Sequence, residues 1–86
     1  MNEHQYFYKD VTDKLRRLRR RIGENIHVTR KQRKMPLKKL ARLSLLNPDL
    51  IDRLEIGKGE INLIHLVRLS IALQVDVTIL LDVQPL

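Results

Sequence analysis

Apolar positions along this chain recur at helical steps of three and four, with no convincing run at the two-residue period of a half-buried strand. The first ten residues, MNEHQYFYKD, show no period and are expected to form a flexible arm. The alternative is that its aromatic triplet folds back on the domain or onto a partner. From Val11 to Lys34 the pattern becomes helical: Leu15, Leu18, Ile22 and Ile26 recur with Arg and Lys between them, and Asp10 or Thr12 offers a cap. Gly23 interrupts this stretch at a cost of about 1 kcal/mol relative to alanine. One long helix and two abutting helices both fit.

Pro36 ends that segment and opens a second, PLKKLARL, with Leu37, Leu40, Ala41 and Leu43 toward one face. After the short connection SLLN, Asn47 is a good N-cap, Pro48 a good first helical residue, and Asp49 a favourable charge in the first turn. This predicts a third helix from Pro48 to Glu55, stopped by Gly57 and Gly59. Asn62 caps a fourth helix ending near Leu73, and Asp76 caps a short fifth, VTILLD. In the fourth helix Leu63, Leu66, Val67, Ser70 and Leu73 are expected to face the core. The fold class is therefore all-α: a compact five-helix bundle whose first helix is extended at its N-terminal end. The arm is residues 1–10 and the single domain residues 11–86.

Composition narrows this further. A chain of 86 residues has room for one core, and aromatics are confined to Tyr6, Phe7 and Tyr8, so that core is built of Leu, Ile and Val. The absence of cysteine excludes disulfides and thiolate metal sites. The most apolar run, LIHLVRLSIALQV, is broken by His65 and Arg68, so no membrane partner is expected and a soluble, cytoplasmic protein is.

Charge divides the chain in two. Residues 1–42 hold 14 Lys or Arg against 4 Asp or Glu, a balance of +10, and residues 43–86 hold 3 against 6, a balance of −3. A cationic half of this density suggests a polyanionic partner. KLRRLRRR at 14–21 and RKQRK at 30–34 supply ten of the cations. Candidate catalytic chemistry is missing. His4, His27 and His65 lack metal-ligand spacing, no Ser–His–acid arrangement stands out, and no Gly-rich phosphate loop occurs. The expectation is a non-enzyme without cofactor or metal.

Two short helices joined by three or four residues form a helix-turn-helix unit, whose second helix can enter the major groove. Specificity comes from IGENI at 22–26, RK at 30–31, LA at 40–41, Ile51, RLEIGK at 53–58, LVRLSIAL at 66–73 and VDVTILL at 75–81. With these residues the stretch from Ile22 to Leu81 resembles the Cro and lambda-repressor type, or XRE-like, helix-turn-helix family. The resemblance implies an inner core of Leu40, Ala41, Ile51 and Leu54, and an internal ion pair between Arg30 and Glu55. It also implies double-stranded DNA as partner.

The departures bear on how DNA would be read. Leu37 stands where the family usually has Gln. Leu45 stands where the turn usually has Gly, so a reshaped or lengthened turn is expected. Pro48 and Asp49 occupy positions where the family tends to place Ser, Arg, Gln or Thr, and Asp52 faces the same side one turn further along. Asp can accept from cytosine N4, and Asn47 can donate to phosphate or bond adenine; equally, both acids can serve only the helix dipole. The candidate DNA-contacting residues are Arg16, Arg17, Arg20, Arg30, Lys31, Lys34, Lys38, Lys39, Asn47, Pro48, Asp49, Asp52, Arg53 and Lys58.

A second surface is apolar. Ile64 and Ile71 lie two helical turns apart, and Ile79 and Val83 continue the excess toward the C terminus, suggesting a homodimer interface. The leading expectation is a small dimeric operator-binding repressor. Two alternatives stand beside it: an antitoxin-like or co-regulatory subunit using these surfaces on a protein partner, and RNA binding by the arginine-rich helix.

Overall fold

A computed structural model describes residues 3–83. Among them lie five helices and no strand: α1 (Glu3–Gln32), α2 (Leu37–Ser44), α3 (Pro48–Glu55), α4 (Leu63–Leu73) and α5 (Val77–Leu80). No helix is long and apolar enough to cross a membrane among these residues.

The polar caps act locally. The side chain of Asn47 accepts from the Asp49 amide at 2.8 Å, Asn62 from the His65 amide at 2.8 Å, and Asp76 from the Thr78 amide at 2.9 Å. Each holds an amide that the first helical turn leaves without a partner.

α1 is one helix of 30 residues, about 45 Å long at 1.5 Å per residue. It begins at Glu3, so residues 3–10, expected as an arm, are its first turns; Met1 and Asn2 lie outside the described residues. No Gly or Pro separates these residues from the following pattern, and the helix runs through them. Thr12, a candidate cap, instead donates its hydroxyl to the Tyr8 carbonyl at 2.9 Å. The aromatic triplet does not fold back on the domain: Tyr6, Phe7 and Tyr8 are all exposed.

Only the C-terminal part of α1 packs in the core. Ile22 and Ile26 join Leu40, Ile51, Leu54, Leu66, Leu69, Leu73 and Leu80, whereas Leu15 and Leu18 remain exposed. On α4 the buried set is Leu66, Leu69, Ser70, Ala72 and Leu73. Leu63 and Val67, expected inside, are exposed, because α4 turns its 66-69-73 stripe inward. On α2, Leu43 also faces out. Ser44 takes the buried place and returns its hydroxyl to the Leu40 carbonyl at 2.7 Å.

The turn between α2 and α3 is neither reshaped nor lengthened. Leu45 itself adopts the left-handed conformation, φ 58° and ψ 35°, with its side chain in solvent. Leu37, in place of the expected Gln, is half-buried against the core.

Candidate nucleic-acid interface

α3 is amphipathic over two turns. Ile51 and Leu54 anchor it in the core, while Asn47, Pro48, Asp49, Asp52 and Arg53 are exposed. The helix thus offers a polar arc outward and is not swallowed by the bundle. Its N-terminal end is capped from within by Asn47, so that residue's carbonyl oxygen is committed to the Asp49 amide.

Two features of α1 fix the pose of α3. Gly23 lets the helices meet backbone to backbone near Leu54 and Glu55. Further along, Arg30 grips Glu55 bidentately, Nε to Oε2 at 2.7 Å and Nη2 to Oε1 at 2.9 Å, and donates through Nη1 to the Met35 carbonyl at 3.1 Å. His27 Nδ1 completes the carboxylate's shell at 2.7 Å. Burial pushes the Glu55 carboxyl up, but the hydrogen bonds from Arg30 and His27 outweigh it and hold the group below its ordinary value. This geometry also corrects one assignment: Arg30 is only 8% exposed and fully engaged, so it orients α3 and is not available to touch DNA.

Cations converge beside α3. Arg16, Arg19 and Arg20 of α1, with Arg53 of α3 and Lys58 of the following loop, line an open groove of about 800 Å³ together with Thr12, Ile56 and Gly57. The groove joins Arg16, Arg20, Arg53 and Lys58, which the sequence had placed far apart. It adds Arg19, which sequence reading overlooked although residues 12, 16, 19 and 20 share one helical stripe. Arg17 lies on the same helix but does not line the groove. Five cations around one concavity attract a phosphate chain more strongly than the same charges dispersed.

A second cationic point is the start of α2. Pro36 offers no side-chain hydrogen bond there, the first turn has no acid, and Lys38 and Lys39 are exposed in it. Lysines beside the positive end of a helix dipole are unfavourable unless an anion joins them. Lys31 and Lys34 are exposed nearby, at the end of α1 and in the loop before α2. Ile64, Val67 and Ile71 on α4 and Ile79 on α5 are exposed and apolar, and none of them lines the groove. Among the described residues no group of His, Cys, Asp or Glu is arranged to hold a metal ion.

The sequence profile of the helix-turn-helix family matches residues 26–80. Two solved structures share the fold. The restriction-modification controller protein C.AhdI from Aeromonas hydrophila aligns with a TM-score of 0.70 at 22% identity, covering 72% of this chain and 94% of its own. The clp gene regulator ClgR from C. glutamicum aligns with a TM-score of 0.71 at 28% identity, covering 74% of this chain and 83% of its own. No curated protein sequence matches the chain. With the family profile covering α2 to α5 and the last turns of α1, and with α3 presented on this scaffold, the chain belongs to the XRE-type helix-turn-helix family of DNA-binding transcription regulators.

Proposed function

We propose that the chain is a homodimeric repressor that binds a palindromic operator through α3 and the cations flanking it. The observation that carries this reading is the shared groove. Arg53, in the last turn of α3, and the arginines of α1 line one concavity, so a duplex seated on the exposed arc of α3 meets Arg16, Arg19, Arg20, Arg53 and Lys58 along its backbone. Phosphate contacts there and at the start of α2 set register, and the side chains of Asp49 and Asp52 meet base edges. No cofactor enters this reading.

Dimerisation is supported by the apolar face of α4 and α5. Ile64, Ile71 and Ile79 are all more than half exposed, and Val83 adjoins them in sequence at the C-terminal end. A symmetric pair would bury this face and set two α3 helices about 34 Å apart, one turn of B-DNA. ClgR, named a gene regulator, supports a regulatory role. The absence of any aromatic residue from the packed domain speaks against RNA binding by base stacking.

Selection from randomised duplexes at moderate salt tests the reading. A palindromic consensus with half-sites one turn apart is expected, and Ile64→Glu/Ile71→Glu should give monomers that lose it. Enrichment of no sequence, or stronger retention of structured RNA than of duplex DNA at matched salt, would overturn it.

A further inference from the structure

The N-terminal half of α1 lies outside the globular core and carries an apolar stripe that takes no part in lining the cationic groove. Tyr8, Val11, Leu15 and Leu18 follow one another at steps of three, four and three, and a further step of four reaches Ile22, where the helix enters the core. This is the spacing of a coiled-coil seam. All four residues before Ile22 are exposed, and Phe7 packs edge-on against Tyr8 at its tip. The stripe is distinct from the one that carries Arg16 and Arg20 into the cationic groove, and Thr12 and Arg19, at its edge, border both. A helix of this kind is unsupported by tertiary packing, and Tyr6, Phe7, Tyr8, Val11 and Thr12 are weak helix formers. Burial of the seam would supply what local propensity does not.

We propose that this seam docks an acidic amphipathic helix of another protein. The occupant's chemistry follows from the residues that border the stripe. The flanking positions are Thr12 and Arg19 on one side and Lys14 and Arg21 on the other, and six of the eight residues from Lys14 to Arg21 are cationic. A second copy of α1 laid parallel would set Lys14 of each helix against Arg19 of the other, like charge on like charge, across both edges. A helix with Leu or Ile along its seam and Glu along its edges meets the same stripe with opposite charge. On the dimer reading proposed above, the α4–α5 face takes a second copy and leaves the α1 seam to a different partner.

The probe is a synthetic helix of about three heptads with Leu and Ile in the seam and Glu at both edges, beside a twin with Lys at the edges. Titrated against the full chain by fluorescence anisotropy, the Glu peptide should bind and the Lys peptide should not. Amide exchange from Glu3 to Leu18 should slow in the complex. Val11→Asn/Leu15→Asn, both in solvent and outside the core, should weaken the Glu peptide about tenfold or more while the domain still unfolds cooperatively. Lys14→Glu/Arg19→Glu should reverse the preference and take up the Lys peptide. Three results would overturn the proposal. One is equal binding of both peptides. Another is a Glu peptide whose affinity ignores Val11→Asn/Leu15→Asn, which reduces it to charge adhesion. The third is sedimentation in which that same double substitution dissolves the homodimer, which gives the seam to a second copy.

Discussion

A β-carbon at Gly23 would run into the main-chain carbonyl oxygen of Leu54 and would stand 2.9 Å from that of Glu55. Glycine is the residue that permits α1 and the end of α3 to meet without an intervening side chain. Both obstacles are backbone, so neither can rotate away. Gly23→Ala, which an isolated helix would favour by about 1 kcal/mol, is expected to destabilise this chain by about 3 kcal/mol through forced separation of the helices. Glu24→Ala, at the exposed neighbouring position, should be close to neutral. Urea midpoints of the two variants against the wild type provide the comparison.

The ion pair of Arg30 and Glu55 gives a pH signature. The Glu55 carboxyl is raised by burial but lowered further by its hydrogen bonds to Arg30 and His27, so its folded pKa lies below its ordinary one. A carboxyl depressed in this sense adds stability above its unfolded pKa, about 4.3, and that contribution disappears as pH falls through the folded value. Glu55→Gln leaves the Arg30 guanidinium buried without a counter-charge and should cost about 3 kcal/mol at neutral pH. The gap between wild type and variant should be full near neutrality and close progressively below about pH 4. Denaturant unfolding at a series of pH values would reveal it; a gap that persists undiminished into strong acid would contradict the assigned role.

Much of this architecture was legible because local signals agreed. Asn47–Pro48, Asn62 and Asp76 marked the starts of α3, α4 and α5, and each proves to be a cap. The start of α1 was missed because the aromatic run 6–8 has no apolar–polar alternation, and a helix without a buried face leaves no period to detect. Leu63 and Val67 were misplaced since α4 is apolar on more than one face, and only its neighbours choose which stripe turns inward. Gly23 looked like a weakness because close approach between helices is a property of two segments, and a sequence displays one at a time. The cationic groove was partly foreseen as charge density. That Arg53 and Lys58 join arginines more than thirty residues earlier follows from α1–α3 packing alone.

Leu45 holds a left-handed conformation, φ 58°, at the junction of α2 and α3, with its side chain 80% exposed. A side chain in this region costs about 1–2 kcal/mol, and an exposed leucine recovers little of it by burial. Glycine removes the clash but loses more chain entropy on folding, about 0.5–1 kcal/mol. Leu45→Gly is accordingly expected to stabilise by about 0.5–1 kcal/mol as the difference of these effects. Thermal unfolding should show a small upward shift, while Leu45→Val, branched at the β-carbon, should shift it downward.

Asp52 and Arg53 are adjacent and both exposed on α3, yet opposite changes are expected when each is removed. Arg53 lines the groove with the α1 arginines, a position suited to phosphate. Arg53→Ala should weaken binding to all duplexes alike and reduce the slope of log affinity against log salt by about one. Asp52 sits outside the groove lining, on the polar arc of α3. Were it only a repelling charge, Asp52→Ala would raise affinity for every sequence to the same extent. A carboxylate that accepts from cytosine N4 behaves differently, since its loss relaxes discrimination at one base pair in each half-site by about 1–3 kcal/mol. Relaxed discrimination is the expected outcome, because an acid beside a cationic surface carries a repulsion that a specific contact can offset. Titrations of each variant on the selected operator, and on operators changed at single positions, would distinguish the two. A uniform gain for Asp52→Ala across all of them would remove this side chain from base readout.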